Sequence, residues 1–393
     1  MPAPRPAFLT PRLSVLALGH FTIDTYSSFF LPLLPLLAER LGLNYAMIGG
    51  LTAIASLSSS FMQPLFGVAS NRTRRPWFVV FGPLIAATFM ASVGWASSYE
   101  MLVALLFLGG IGVAMFHPQT AMLAGASSAQ RGLAMSFWVT GGTLGWALGP
   151  AYATAIVNRF GLERTWVAAI PGLVVCALLF AWFARLTPHP PERRERAALA
   201  ELRPVLRPLL LLYFAVVCRA AVSAGFATFL PLWVHERGGD VARGGLLTTL
   251  YLTLGSIGGF AGGWLADRFG GRRVVSGSFA GAAPLYVLFF VVPEPFRFTM
   301  LVIGYCILQA SLPVNVVLGQ ELSPRHSAMI SSFLMGAAWG LGALLLYPIG
   351  AIADRFGLER ALMVLASLIL AGWGCARGIG RIRLEPVPAA TAT

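Results

Sequence analysis

Long apolar runs, repeated along almost the entire chain, constrain its fold more than any other feature. There are twelve, each about 20 residues long and bounded by charged or turn-forming residues. Only 11% of the 393 residues are charged, which is less than half of the share, about 25%, that is typical of a soluble domain. This composition excludes a soluble enzyme, a disordered chain and a disulfide scaffold. The runs predict an all-α polytopic membrane protein.

The predicted spans form two groups of six on either side of one polar connection. They cover 13–37, 46–70, 77–97, 101–124, 132–157 and 165–186 in the first group, and 208–234, 244–266, 274–292, 298–320, 328–353 and 361–379 in the second. We expect an N-terminal six-helix bundle over 1–186, a linker over 187–207, and a C-terminal bundle with a short tail over 208–393.

All 28 basic residues are arginines, and their distribution predicts the orientation of the chain. With the N-terminus in the cytoplasm, that side receives 19 arginines and the other side receives eight, while Arg219 lies inside a span. Because positive charge accumulates on the cytoplasmic side, both termini and the linker are expected there. The arginines lie in short clusters between apolar runs, which argues against nucleic-acid binding.

An internal repeat supports two similar halves. The hexapeptide RFGLER occurs at Arg159–Arg164 and again at Arg355–Arg360, an offset of 196 residues. Further residues align at the same offset, namely Gly67, Asn71 and Arg72 with Gly263, Asp267 and Arg268. Each copy contains an even number of spans, so both halves enter the membrane in the same sense. Parallel six-helix halves are the arrangement of the major facilitator fold.

The loop after the second span of each half resembles the loop motif of major facilitator transporters. It reads Gly67-x-x-x-Asn71-Arg72-x-x-Arg75 in the first half and Gly263-x-x-x-Asp267-Arg268-x-Gly270-Gly271-Arg272-Arg273 in the second. Shorter motifs resemble the fosmidomycin-resistance family: Gly19-His20-Phe-Thr-Ile-Asp24, Phe116-His117-Pro118, Gly141-Gly142 with Gly149-Pro150, and Gln320-Glu321-Leu322-Ser323-Pro324.

This resemblance covers nearly the whole chain and implies a secondary active transporter of the bacterial inner membrane. It implies proton-coupled export of small drug-like or anionic compounds by a protein that functions as a monomer. Its partners would be the substrate, protons and the lipid bilayer. No cofactor, metal site or enzyme motif is indicated by the sequence, because HExxH, nucleophile-elbow and phosphate-loop patterns are absent from it.

Two charged residues lie deep inside spans, where each costs about 2.5–3.5 kcal/mol without a partner. Asp24 lies 11 residues into span 1, and Arg219 lies 11 residues into span 7. Spans 1, 4, 7 and 10 line the central cavity of the superfamily fold, so the resemblance implies that the two residues face one another. They form either a static ion pair between the halves or a pair for which substrate and protons compete.

Two histidines extend this candidate site. His20 lies one helical turn from Asp24 on the same face, and His117 lies at a similar depth in span 4. Histidine titrates near neutral pH, so the three residues form a candidate proton relay. For His117 an equally weighted alternative is a structural role, in which the imidazole binds a carbonyl freed by Pro118.

Uncharged polar and aromatic residues have two possible roles each. Gln309 and Asn315 in span 10 either line the cavity or hydrogen-bond to neighbouring helices. Tyr26, Trp138 and Tyr251 either contact an amphipathic or aromatic ligand or serve in packing and at the membrane interface.

The loop motifs imply a cytoplasmic gate, in which an acidic residue caps a neighbouring helix and pairs with arginine. In the first half the acidic residue is replaced by Asn71, which can cap a helix but cannot form an ion pair. The weaker latch therefore comprises Asn71, Arg72 and Arg75, and the stronger one comprises Asp267, Arg268 and Arg272.

Glycines at intervals of four residues suggest close helix packing in spans 5 and 8. The two ridges are Gly141, Gly145 and Gly149, and Gly255, Gly259 and Gly263. Such ridges let two helices approach closely, and we expect them at the interface where the halves rock. A self-dimerisation face is the alternative.

Two departures from the expected motifs keep other functions open. Drug–proton antiporters of the superfamily usually have an arginine in span 4, which is missing from Val103–Ala114, and Gln119 stands where the family often has an acidic residue. The alternatives are a uniporter or proton symporter that imports a small organic anion through Arg219, and a membrane receptor that transports nothing.

Overall fold

The computed structural model describes residues 9–70, 73, 75–128, 130–183, 199–294 and 296–379. Within these ranges the regular secondary structure is helical and forms twelve long segments. They are α1 (Pro11–Leu41), α2 (Tyr45–Ser70), α3 (Trp77–Trp95), α4 (Tyr99–Gly125), α5 (Arg131–Phe160), α6 (Leu162–Phe183), α7 (Leu206–Glu236), α8 (Val241–Phe269), α9 (Gly271–Val291), α10 (Phe296–Leu322), α11 (Met329–Phe356) and α12 (Leu358–Gly378).

Each predicted span coincides with one of these segments. Eleven segments are long and apolar enough to cross a membrane, and α5 is the twelfth segment. Large apolar side chains such as Val174, Phe260 and Val291 are exposed, as a surface in contact with lipid requires. The predicted linker lies outside the described residues from 187 to 198, and the structure resumes with a 3₁₀ helix over Leu199–Val205 that leads into α7.

Polar caps and glycines set the ends of the helices. Asn44, Ser98 and Asp240 each accept a hydrogen bond from the backbone N–H three residues further along, at 2.8, 3.2 and 2.8 Å. Gly161 and Gly357 follow α5 and α11 with φ angles of 82° and 91°, which favour glycine. Both glycines belong to the RFGLER repeat, so the repeat marks the same turn in each half.

The two halves have the same internal packing. In the first half α1 packs on α5 and α3 on α4, and in the second half α7 packs on α11 and α9 on α10. The halves meet where α2 contacts α11 and where α5 contacts α8. At the second contact Gly245 of α8 lies directly against the side chain of Thr154. This arrangement agrees with the predicted pair of pseudo-symmetric bundles.

The glycine ridge of α5 does not lie between the halves, which corrects the sequence-based prediction. A Cβ atom on Gly141 would lie 2.7 Å from the carbonyl oxygen of Ala17. Gly145 and Gly149 likewise leave no room for a side chain beside the backbone of α1, where Gly145 lies against Phe21. The ridge therefore allows two helices of the same half to approach closely.

The glycine ridge of α8 does not lie between the halves either: part of it faces a helix of the same half, and its last glycine faces no helix. Gly255 lies against the ring of Tyr305 in α10. A Cβ atom on Gly259 would make only an ordinary contact, 3.7 Å from the carbonyl oxygen of Gln309, and one on Gly263 would contact nothing within 4 Å. The spacing of the glycines shows which face of a helix lacks side chains, but only the tertiary structure shows which helix packs against that face.

Candidate functional site

Three ionisable side chains meet in the middle of the first half. Asp24 and His20 come from α1, and His117 comes from α4. The Nε2 atom of His20 lies 3.2 Å from Oδ2 of Asp24, and Nε2 of His117 lies 3.4 Å from Oδ1. The two Nε2 atoms are 3.2 Å apart. We call these three residues the acceptor cluster.

Backbone carbonyls determine which atoms of the two imidazoles face the carboxylate. Nδ1 of His20 lies 2.8 Å from the carbonyl oxygen of Trp138, and Nδ1 of His117 lies 2.8 Å from that of Val113. A carbonyl oxygen only accepts hydrogen bonds, so each Nδ1 carries a hydrogen. In the neutral imidazoles both Nε2 atoms therefore present lone pairs to Asp24, so the cluster then consists of hydrogen-bond acceptors.

Helix α5 supports this cluster from one side. The indole of Trp138 stacks on the imidazole of His20, with 3.8 Å between the ring centres. A Cβ atom on Gly142 would lie 2.7 Å from Oδ2 of Asp24 and would collide with Nε2 of His20. Glycine at this position therefore provides the space that the cluster occupies.

Solvent reaches the cluster although it lies at the middle of the helices. The side chains of Asp24 and His117 are 18% and 20% exposed, and that of His20 is 6% exposed. The contacts of His117 fit both roles considered from the sequence. Its Nδ1 binds the carbonyl of Val113 on its own helix, as a structural role requires, and its Nε2 faces Asp24, as a proton relay requires.

A second polar group lies in the other half around Arg219 of α7. Its Nη1 donates a hydrogen bond of 2.8 Å to Oε1 of Gln309, whose Nε2 donates to the hydroxyl of Tyr305 at 2.9 Å. The guanidinium lies over the ring of Trp339, 5.0 Å from the ring centre. We call these four residues the arginine pocket.

The predicted pair between Asp24 and Arg219 is not formed in this structure. Asp24 is paired with the two histidines, and Arg219, which is 1% exposed, contacts no carboxylate among the described residues. Nearer partners in the same half provide the reason, because Asp24 has His20 one helical turn away and Arg219 has Gln309 beside it. The Nε atom of Arg219 is buried without a hydrogen-bond partner.

The aromatic candidates are placed differently from one another. Tyr251 stacks on Tyr305 with 3.7 Å between the ring centres, so it supports the arginine pocket. Tyr26 is buried in the first half, where its hydroxyl donates to the carbonyl of Ala168. This burial agrees with the packing role, the alternative to a ligand contact. Asn315 is buried, and its amide makes no hydrogen bond among the described residues.

Irregular helix geometry accompanies the arginine pocket. Helix α10 breaks at Ala310, directly after Gln309, and α11 contains a π-helical turn over Phe333–Ala337, just before Trp339. Such π turns are frequent at functional sites. Trp339 also touches Trp146 of the first half, with 6.2 Å between the ring centres, so the pocket reaches the interface between the halves.

The predicted gate is only partly visible. Asn71 and Arg72 lie outside the described residues. The guanidinium of Arg75 lies over Trp77, and that of Arg268 lies over Trp264. Among the residues with a described position, Asp267 is exposed and forms no ion pair, and Nε of Arg272 is buried without a partner. The second-half latch is therefore not engaged by the described residues.

The halves are joined at the opposite end of the molecule, where α1 ends and α2 begins. We call this the closed end. The carboxylate of Asp354, at the end of α11, accepts hydrogen bonds from the backbone N–H groups of Tyr45 and Ala46, at 2.7 and 2.9 Å. These groups are the unpaired donors at the start of α2, so the carboxylate also meets the positive end of that helix.

Further contacts strengthen the closed end. His235 of α7 lies 2.7 Å from Glu39 of α1, and the hydroxyl of Tyr45 donates to Glu236. Thr228 and Thr52 share a hydrogen bond of 3.1 Å between α7 and α2. The described residues therefore hold the two halves together at this end.

Twelve helices in two similar halves, with buried charges at the centre, define a membrane transporter. The Major Facilitator Superfamily profile matches residues 16–345, so the chain belongs to this superfamily. It is 28% identical to the fosmidomycin resistance protein of Escherichia coli (strain K12) over 369 residues, or 92% of this chain and 90% of the relative. It is 26% identical to a probable 4-methylmuconolactone transporter of Cupriavidus pinatubonensis over 363 residues, or 88% and 83% of the two chains.

A solved structure shows the same fold. It is a bacterial homologue of the human lysosomal transporter Spinster in an inward-facing, unoccupied conformation, with a TM-score of 0.81, 16% identity, and coverage of 96% of this chain and 98% of that one. The predicted major facilitator fold is confirmed, and the protein is a transporter and not an enzyme.

Sequence reasoning missed several residues of these sites. Tyr305 lies four residues before Gln309, so helical spacing already places both on one face. Trp339 had no comparable signal. The contact of Asp354 with α2 joins residues 309 positions apart, which no local pattern indicates.

Proposed function

We propose that the protein is a secondary active transporter that exports small drug-like or anionic compounds across the bacterial inner membrane in exchange for protons. The acceptor cluster carries this proposal. Its three groups accept but do not donate hydrogen bonds when the imidazoles are neutral, and they lie within 3.4 Å of their neighbours. A proton shared among them removes the repulsion between their lone pairs. The relative that is named for fosmidomycin resistance supports export.

The distribution of arginines supports the orientation. With 19 arginines on the side of the N-terminus and eight on the other, both termini belong in the cytoplasm. The closed end then faces away from the cytoplasm, and the conformation is inward-facing, so cytosolic substrate reaches the cluster. One chain supplies both polar sites, which supports function as a monomer.

Exchange requires that proton and substrate exclude each other. An N–H or O–H group of a substrate binds the same acceptor atoms that hold the proton, and the two cannot be present together. A compound that also carries an anionic group gains charge-assisted hydrogen bonds from Arg219. Proton binding from outside then releases the substrate, and proton loss to the cytoplasm prepares the site for the next molecule.

The unpaired cation of Arg219 favours a second candidate, a proton symporter or uniporter of a small organic anion. An anion that contacts only the arginine pocket leaves the cluster free. A protonated cluster then attracts the anion, so both are bound together. Exchange and symport therefore differ in the direction in which protons move.

Proteoliposomes separate these mechanisms. The full chain is reconstituted, the vesicles are loaded with fosmidomycin as the probe, and a pH-sensitive dye reports the pH of the lumen during efflux. Exchange acidifies the lumen, symport makes it more alkaline, and uniport leaves it unchanged. Only the first result supports proton-coupled export.

A matched pair of variants assigns the proton to the cluster. Asp24→Asn keeps the shape of the side chain but removes the charge, so proton movement stops while exchange of labelled for unlabelled fosmidomycin can persist. Asp240→Asn is the control, because Asp240 caps α8 and asparagine caps equally well. If Asp24→Asn still concentrates fosmidomycin against a gradient, the proposed mechanism is wrong.

A further inference from the structure

The acceptor cluster also has the composition of a transition-metal site, which the spacing along the chain did not indicate. Two imidazoles and one carboxylate offer one ligand atom each, and these atoms lie within 4.8 Å of one another. Nitrogen ligands exclude Ca²⁺ and Mg²⁺, which prefer oxygen, and favour Zn²⁺, Co²⁺ or Ni²⁺. A set of two histidines and one carboxylate with open positions is a common arrangement for these ions.

The distances within the cluster are close to those between the ligand atoms of a tetrahedral ion. Bonds of about 2.0–2.1 Å to Zn²⁺ place neighbouring ligand atoms about 3.3 Å apart in a tetrahedron. Nε2 of His20 lies 3.2 Å from Nε2 of His117 and 3.2 Å from Oδ2 of Asp24, whereas Nε2 of His117 lies 3.4 Å from the other carboxylate oxygen, Oδ1. A rotation of the carboxylate that brings one oxygen close to both Nε2 atoms therefore allows one ion to bind all three side chains.

The surroundings of the imidazoles are those of metal ligands. A metal-binding histidine almost always donates its second ring N–H to a carbonyl or carboxylate, which fixes the orientation of the ring. Both histidines do so, through Nδ1 to the carbonyls of Trp138 and Val113 at 2.8 Å. Stacking of Trp138 on His20 restricts that ring further. With Nδ1 of each ring bound to a carbonyl, Nε2 is the nitrogen that remains available to a metal ion.

We propose that His20, Asp24 and His117 bind a divalent transition-metal ion, Zn²⁺ above all, with water in the fourth position. The partial exposure of Asp24 and His117 gives the ion access to the cluster. Under the proposed function, a bound ion occupies the atoms assigned to the proton and so stops proton-coupled transport. Binding itself does not depend on that function.

Metal binding is measured on the purified full chain in detergent. The protein carries a tag without histidine, is stripped with a chelator, and is titrated at one fixed pH with Co²⁺, whose tetrahedral complexes absorb visible light strongly. Zn²⁺ then displaces Co²⁺, and X-ray absorption of the zinc form reports its ligands. We expect one ion per chain, with imidazole nitrogen at about 2.0–2.1 Å.

Three variants locate the site. Asp24→Asn and His117→Gln each remove a metal ligand and are expected to weaken Co²⁺ binding by about a hundredfold. Loss of a group that only hydrogen-bonds to a metal ligand already weakens binding by about 10–100-fold. His235→Gln is the control, because it removes the other described histidine–carboxylate contact, which lies at the closed end. Melting temperature and elution volume show that each variant is folded.

The outcomes are decisive in both directions. Tetrahedral binding that both cluster variants lose and the control keeps supports the site. Any one of three results overturns the proposed site. They are the absence of the tetrahedral Co²⁺ spectrum in the folded wild type, equal Co²⁺ affinity in all variants, and a zinc X-ray absorption spectrum without imidazole scattering. No transport is measured, so a failure here and a failure of the proposed function are distinguishable.

Discussion

The carboxylate of Asp354 offers the sharpest test of how the halves are held together. It accepts two backbone hydrogen bonds from the start of α2 and belongs to the other half. Loss of a side chain that caps a helix costs about 0.5–2 kcal/mol, and Asn44 still caps α2 from within its own half. Asp354→Ala should therefore weaken the closed end without unfolding the helix.

The size of the effect follows from the exposure of the contact. Asp354 is exposed, so water replaces part of the lost contact and we expect the lower part of this range, about 0.5–1 kcal/mol, or a change of about 2–5-fold in the ratio of the closed to the open state at this end. Spin labels at Ser97 and Glu294, two exposed sites at this end in different halves, report the distance between the halves. The labels are introduced after the four native cysteines have been replaced.

Electron spin resonance in lipid nanodiscs then measures the distance distribution. Asp354→Ala should increase the fraction of long distances relative to the unsubstituted protein. Asp240→Ala is the matched control, because this residue caps α8 at the same end but within one half. Equal distributions for Asp354→Ala and the unsubstituted protein, or an equal change in the control, would refute the assignment of Asp354 to the closure between the halves.

Four further substitutions, one of them a control, test individual contacts. Gly142→Ala places a methyl group in the acceptor cluster and should abolish proton movement in the lumen-pH assay while the melting temperature changes little; normal proton movement would contradict the role given to this glycine. The leucine side chain introduced by Gly145→Leu would collide with the backbone of α1 and should prevent recovery of folded protein. Gly263→Leu is its control, because the new side chain meets open space there. Equal melting temperatures for the two variants would contradict the packing of α5 on α1. Arg219→Gln removes charge-assisted hydrogen bonds and should weaken binding of an anionic substrate by about 10–100-fold in an equilibrium binding assay, and unchanged affinity would exclude Arg219 as an anion contact.

Some of the candidate site follows from spacing alone. His20 and Asp24 are four residues apart, so any α-helix places them on one face. The equal depth of His117 in span 4 already suggested a common layer, and the structure brings the three together. Stacking of Trp138 and the space left by Gly142 were not derivable, because both come from the way α5 packs on α1.

Partners across the cavity were harder to predict. Asp24 and Arg219 lie at similar depths, which suggested an ion pair, but depth does not show what lies nearest. His117 lies beside Asp24, and Gln309 accepts a hydrogen bond from Arg219, within their own halves. Such short-range contacts depend on how the helices are rotated about their axes, which hydropathy along a span does not reveal.

The sequence by itself determined the number of long helical segments, their approximate positions along the chain and the division into two similar halves. These features depend on the length of apolar runs and on a repeat, both of which are local properties of the chain. Only the tertiary structure decided which faces of the helices meet. It packed the glycine ridge of α5 against α1, placed Asp354 on the start of α2, and kept Asp24 apart from Arg219. The reason is physical, because side-chain contacts between distant segments are set by close packing over the whole molecule.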